Sequence, residues 1–473
     1  MIADLKSYGE YRPAEGEWLG EIPAHWAVRR MKYVVQETDS RSTSGKEQLL
    51  RISQYTGVTQ RRTADGIDEP DTRADSLVGY KRVEPNDLVI NIMLAWNGSM
   101  GVSQYSGIAS PAYCVYRFRP DLHPWYFHNL LRSPVYKARI KASSTGVVES
   151  RLRLYSNDLN RIEAMLPPPA EQAAIVRFLD WANGRLERAI RAKRKVIALL
   201  NEQKQAIIHR AVTRGLDPSV PLKPSGIPWL GDIPQHWEGL QVRRVVSFVT
   251  SGSRGWANYY SDDGLIFLQS GNLGRSMSLN LSCIQHVRPP DGAEGERTRV
   301  RRNDVLICVT GALTGNVAIV DQDLPVPGFV NQHVALVRPK LELIEPRFLA
   351  YALHSEVGRN QFKINEYGGT KQGLGLADVK SVFIPMPSLP EQSAICTYLD
   401  SEVAAFKEVI IRLEREIELL REYRTRLVAD AVTGKLDVRE AAARLPEEFA
   451  PDAAEKTADV SDEAERFADE TAA

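Results

Sequence analysis

The nine-residue phrase WLGEIPAHW at positions 18–26 returns as WLGDIPQHW at 229–237, changed only at Glu21/Asp232 and Ala24/Gln235. Chance does not rewrite nine positions with two tryptophans each, so the chain reads as a duplication that must fold twice on one plan. Two further pairs extend the match. LPPPAEQAAIVRFLD (166–180) and MPSLPEQSAICTYLD (386–400) share Glu171, Gln172, Leu179 and Asp180 with Glu391, Gln392, Leu399 and Asp400, and AVTRGLD (211–217) is echoed by AVTGKLD (431–437). The offset is 211 residues for the opening phrase and 220 for the later pairs, so the stretch between them is nine residues longer in the second copy. Each half has a tryptophan-rich opening, a variable part, a proline-rich hinge, a helical stretch and a Leu-Asp ending. The frame is repeated and the contents differ.

The helical stretches constrain the fold most after the repeat itself. Segments 171–214 and 391–434 have no internal proline, and Gly184 is the only glycine before either end. Each can form a helix of about 44 residues, roughly 65 Å long. Apolar residues recur at spacings of three and four: Leu186, Ile190, Ile197, Leu200 and Ile207 in the first, Ile410, Leu413, Ile417, Leu420 and Leu427 in the second. That is the seam of a coiled coil, in which the polar interruptions Lys193 and Lys204 would fix register. The first segment holds ten basic and four acidic residues and the second six and nine, giving +6 against −3. The charges make the two helices partners, and because the chain must return across a full variable domain between them the pairing is expected to be antiparallel. The alternative, two hairpins each packed on its own domain, leaves that match unused.

Between the frames lie strand-like runs bounded by turn residues: 87–94, 113–118, 264–270, 304–310 and 333–339. PWYFHNLLRSPVYKARI and EPRFLAYALHSEVGRNQF, each after the last strand of its half, have helical periodicity. Asn86-Asp87 ahead of one strand matches Asn303-Asp304 ahead of another. The expectation is an α+β protein: two globular mixed α/β domains in pseudo-two-fold arrangement, joined by two long helices forming an antiparallel coiled coil. The boundaries read as an N-terminal extension (1–17), a first domain (18–168), a first long helix (169–217), a second domain (218–388), a second long helix (389–437) and an acidic, alanine-rich tail (438–473) expected to be disordered.

Composition narrows the function by exclusion. A chain of 473 residues, 43% of them hydrophobic, can bury two or three ordinary cores. No apolar run reaches the roughly 18 residues that cross a bilayer, and residues 1–18 lack the apolar core of a signal peptide, so a cytoplasmic location is expected. Cys114, Cys283, Cys308 and Cys396 are scattered, without CxxC or metal spacing. Walker A, GxGxxG, HExxH and GxSxG motifs are absent, as are methyltransferase and nuclease signatures. His25 and His236 sit identically in the repeated phrase and read as packed structural residues. Sixty basic and sixty acidic residues cancel, which argues against a simple polycation.

The variable parts nevertheless carry clusters suited to phosphates and base edges. The first has Arg41, Lys46, Arg51, Arg61, Arg62, Arg73, Lys81, Arg82, Arg151 and Arg153, interleaved with Gln54, Tyr55 and Gln60. The second has Arg254, Arg275, Arg297, Arg299, Arg301, Arg302 and Lys371, with Gln269, Asn272 and Gln372 nearby. Arginine forks match guanine edges and phosphates, while Asn and Gln match adenine edges. Glycine-bearing loops at 143–151 and 366–375 would let backbone approach a groove closely.

The duplicated WLGxIPxHW opening, the LPxxxEQxxIxxxLD helix entry, the AVTxxLD exit and GGTKQGLGLADVKS (368–381) together resemble the specificity subunits of Type I restriction-modification systems, over residues 18–437. The first half reads STGVVESRLRLYSNDLNRI where the second has its glycine-rich element. The resemblance implies a non-catalytic subunit of host defence with two target-recognition domains, each reading one half of a split asymmetric DNA sequence. It implies paired helices that act as a ruler and dock two modification subunits, which bind S-adenosylmethionine and methylate adenine, and restriction subunits that translocate and cleave. Two unlike half-sites read on one frame would let identical partners dock equivalently. The competing readings are a DNA methyltransferase or nuclease with an unrecognised active site, and a helical scaffold that does not bind DNA.

Overall fold

The structure is a computed structural model that describes residues 5–61, 76–148, 151–252, 254–274, 276–289, 295–366 and 373–446. Two helices dominate it, Pro169–Arg214 and Leu389–Val432. Both are rich in Ala, Leu, Arg and Glu, which lose little side-chain freedom in a helix, and both carry proline in the first turn, where a missing N–H costs nothing. Each stops ahead of a glycine in the left-handed region, Gly215 (φ 74°) and Gly434 (φ 77°).

The chain divides into two compact units, one formed up to Lys193 and again from Arg415, the other spanning Arg194–Glu414. Each helix thus starts in one unit and ends in the other, which excludes the two-hairpin alternative. In the first unit the helices run antiparallel: Glu187 pairs with Arg424 at 3.1 Å and Lys193 with Glu416 at 2.5 Å. In the second, Ile208, Ala211 and Val212 of the first helix share one core with Ile395, Cys396 and Leu399 of the second. Leu186, Ile190, Ile417 and Leu427 are buried, whereas Ile197, Leu200, Ile207, Ile410, Leu413 and Leu420 are half-buried.

The domain frames repeat strand for strand. A four-stranded antiparallel sheet in the order Val35–Thr38, Tyr113–Phe118, Leu88–Asn91, Met100–Val102 in the first unit matches Val246–Ser251, Val334–Pro339, Val305–Cys308, Val317–Ile319 in the second. Ala27–Arg30 pairs with Glu163–Leu166 as Glu238–Gln241 pairs with Phe383–Met386. The repeated Asn-Asp is a turn device: Asn86 and Asn303 take φ of 72° and 74°, and the following Asp87 and Asp304 accept the Glu84 and Arg301 N–H groups at 2.9 and 2.7 Å. The contents differ beyond that. The first unit adds a hairpin, Leu50–Ser53 with Gly57–Gln60, and a pair, Lys81–Val83 with Gly107–Ala109; the second adds a four-stranded sheet ordered Tyr260–Ser261, Gln285–Val287, Leu265–Leu268, Gly328–Val330.

Three expectations need correction. Residues 438–445 do not begin a disordered tail: Arg439–Ala443 is helical, and Val438, Ala442 and Leu445 are buried in the first core because small and apolar side chains there meet an apolar face. Residues 447–473 lie outside the described residues. The boundary at 17/18 is not a structural division, since Tyr11–Pro13 pairs with Glu21–Pro23 and Lys6 bridges to Asp437. Each helical stretch after the last strand is two helices, Pro124–Leu131 with Pro134–Ser143 and Pro346–His354 with Glu356–Asn365, broken at Ser133 and Ser355.

Candidate nucleic-acid interface

The repeated phrase does its work at the helix junctions. Glu171, in the first turn of the first helix, accepts from Trp26 Nε1 (3.0 Å) and the Tyr8 hydroxyl (2.6 Å) and lies 2.8 Å from His25 Nε2. Burial and that hydroxyl bond push the Tyr8 pKa well up, so it stays a donor. In the second unit Glu391 receives Trp237 Nε1 at 3.2 Å and lies 2.7 Å from His236 Nε2. Burial would raise Glu391, but hydrogen bonds from His236, Ser388 and Trp237 outweigh it and hold the carboxyl at about 2. Gln172 and Gln392 bind the chain ahead of each helix, accepting from His123 N (2.9 Å) and Glu345 N (2.8 Å). The same tryptophans meet the other helix's end: a Cβ on Gly434 would lie 3.2 Å from the Trp26 ring, and one on Gly215 3.2 Å from Trp237. Each opening phrase therefore seats the start of one helix beside the end of the other.

The first unit gathers its candidate cations in two ways. Arg41 pairs with Asp39 at 2.9 Å and donates to Gly79 O, and Arg82 pairs with Glu47 at 3.3 Å. Glu47 is held at about 2, chiefly by the Ser42 hydroxyl, with Ser44 and Arg82 adding to it, so it remains an anion among these cations. Lys81 is buried against Glu37 and Asp39. Burial raises the pKa of Tyr113, and the charges of Arg61 and Arg51 oppose that rise. Arg151 is exposed, and Arg153 is tied by a backbone bridge to Thr145 across a tight loop that a Cβ on Gly146 would obstruct. Arg62 and Arg73 lie outside the described residues.

In the second unit, Arg254 is exposed ahead of the turn Trp256–Tyr259, and Gln269 donates to the Tyr260 hydroxyl at 3.0 Å. Asn272 is not a free reader. It is 5% exposed, accepts from Gln269 N at 2.8 Å and donates to Asn280 O and Cys283 O at 3.0 Å, which uses both ends of its amide to close a loop. Arg299 leans on Glu296 at 3.5 Å, while Arg301 and Arg302 are exposed and, among the described residues, have no ion-pair partner. Arg275, Lys371 and Gln372 lie outside the described residues. Sequence reading missed Arg132, whose guanidinium bonds five backbone carbonyls, because such a role leaves no spacing to read.

Residues 294–419 match the family model described as "Type I restriction modification DNA specificity domain". Across longer spans the chain is 23% identical to the Type I restriction enzyme EcoBI specificity subunit of Escherichia coli, over 75% of this chain and 74% of that one. It is 22% identical to the MjaVIII specificity subunit of Methanocaldococcus jannaschii, over 93% and 99%. Over most of its length the chain is similar to Type I specificity subunits. A solved structure concerning complex assembly and conformational transition of the type I R-M system shares the fold, with a TM-score of 0.64 and 19% identity over 88% of this chain and 99% of that chain. The relatives are specificity subunits, so the exposed arginines are weighed as contacts and not as catalysts. No described helix of the chain is long and apolar enough to cross a membrane.

Proposed function

We propose that each unit reads one half of a split, asymmetric duplex sequence, and that the paired helices set the number of unread base pairs between the halves and dock two modification subunits. S-adenosylmethionine sits on those partners, which methylate adenine; restriction subunits join the same complex, in the cytoplasm where the DNA is. The observation that carries this reading is a frame duplicated in sheet order and helix seating around insertions that are not duplicated. One frame serves identical partners, and two contents serve unlike half-sites.

The test replaces residues 36–156 with the same region of a relative, in complex with the cognate modification subunits. Sequencing of methylated adenines should show one half-site changed and the other intact. A change in both half-sites, or methyl transfer by the isolated chain, sinks the reading and returns a methyltransferase of its own to first place.

A further inference from the structure

The hairpin turn after Leu50–Ser53 presents Gln54 half-buried and Tyr55 exposed. Its three successive carbonyls converge on one guanidinium: Arg132 donates through Nη1 to Ser53 O at 3.3 Å and through Nη2 to Gln54 O and Tyr55 O at 3.0 and 2.9 Å. Nη1 also donates to Gly98 O at 3.0 Å and Met100 O at 2.6 Å. Among the described residues no carboxylate pairs with Arg132. Burial lowers its pKa to about 10, which leaves it charged at neutral pH. Beside it His128 accepts the Val102 N–H at 3.1 Å, held neutral by burial and by the adjacent charge. A Cβ on Gly57 or Gly101 would come within 3.1 Å of the His128 ring, so backbone and imidazole are in close contact there.

A cation buried without a counter-ion is costly, and apolar contacts would hold a surface turn more cheaply. Five charge-assisted hydrogen bonds offset that cost and fix the turn in one geometry. The positive charge beneath the turn also favours the approach of an anionic groove. What stands on this base is an amide that fits the adenine edge and a ring that suits a thymine methyl.

We propose that Arg132 is the positioning residue of a base-reading turn formed by Gln54 and Tyr55 in the first unit. The inference rests on the DNA-reading function proposed above. The second unit has His354 where Arg132 precedes the helix-starting serine, and His354 meets Gln205 and Arg359 instead of a turn. The device therefore belongs to the unshared contents, where a reader must lie.

The experiment uses the full chain with its modification subunits and maps methylated adenines for Arg132→Lys, Gln54→Ala and Tyr55→Ala. Lysine keeps the charge but cannot reach five carbonyls. Arg132→Lys and Gln54→Ala should relax the same one or two adjacent base pairs of one half-site, with discrimination there falling about tenfold, while the other half-site and the salt dependence of binding stay unchanged. A folded Arg132→Lys that loses activity or thermal stability but keeps every base preference overturns the proposal and leaves a structural arginine. If Arg132→Lys does not fold, the two turn positions decide, and intact preferences in both Gln54→Ala and Tyr55→Ala overturn it equally. Failure of the underlying reading looks different: the wild-type complex itself would then methylate no defined sequence.

Discussion

His354 shows how a single side chain couples the second unit to pH. It is 7% exposed, and burial first, then the charges of Arg359 and Lys204, hold its pKa down to about 3, so the folded unit keeps it neutral. The unfolded chain protonates it near 6.5, so the folded state binds fewer protons and loses stability as pH falls from there toward 3. Between pH 7 and 5 this group alone should remove about 2 kcal/mol. Urea unfolding at the two pH values should show the wild type losing more than His354→Gln by that amount, and equal losses would mean the ring is charged in the fold. Arg301 and Arg302 carry a different prediction. They are exposed, with no ion-pair partner among the described residues, whereas Arg41 and Arg82 already lean on Asp39 and Glu47. Changing both unpaired arginines to alanine should flatten the salt dependence of DNA binding by roughly one unit per lost phosphate contact, and changing the paired ones should flatten it less. An unchanged slope would take Arg301 and Arg302 off the DNA. Of the candidate readers, Asn272 was misjudged from sequence because an asparagine that closes a loop and one that reads a base have the same neighbours in the chain.

At the scale of elements, periodicity made the long helices legible within a few residues, because 44 and 46 helical residues leave no room for another assignment. Their ends were marked by glycine but their seating was not. A side chain at Gly434 would be strained by a φ of 77° and would bring Cβ to 2.4 Å from the Pro23 ring, while at Gly215 the nearest contact is 3.2 Å, to Trp237. Gly215→Ala should therefore cost about 1–2 kcal/mol from backbone strain alone, and Gly434→Ala clearly more, since a proline ring cannot swing aside. Thermal unfolding of the two variants gives the order, and equal costs would mean the junctions relax freely. The helices after the last strands were legible as helical but not as broken. Pro134 explains the first break. The second, at Ser355, leaves no proline signal; a Cβ on Gly358 would collide with the Leu353 carbonyl at 2.1 Å, and that close packing is visible only in three dimensions.

For the whole molecule, the antiparallel register supplies a test of the helices as a ruler. Lys193 faces Glu416, so seven residues inserted after Lys193 and seven before Glu416 add two turns to both helices and keep the seam in phase. The addition is about 10.5 Å, or about three base pairs. Methylated sites should keep both half-sequences and gain about three unread base pairs; an active, folded variant with the old spacing would rule out the ruler. What the sequence determined by itself was the duplication, the two long helices and their partnership, because these rest on repetition, periodicity and summed charge, which survive projection onto one dimension. Only the tertiary structure decided that Trp26 and Trp237 each seat two helix ends, that residues 438–445 complete the first core, that Asn272 is structural and that Arg132 holds a turn some 80 residues away. Those roles depend on buried polar atoms finding partners that are distant in the chain, and nothing local in the sequence marks which partner will arrive.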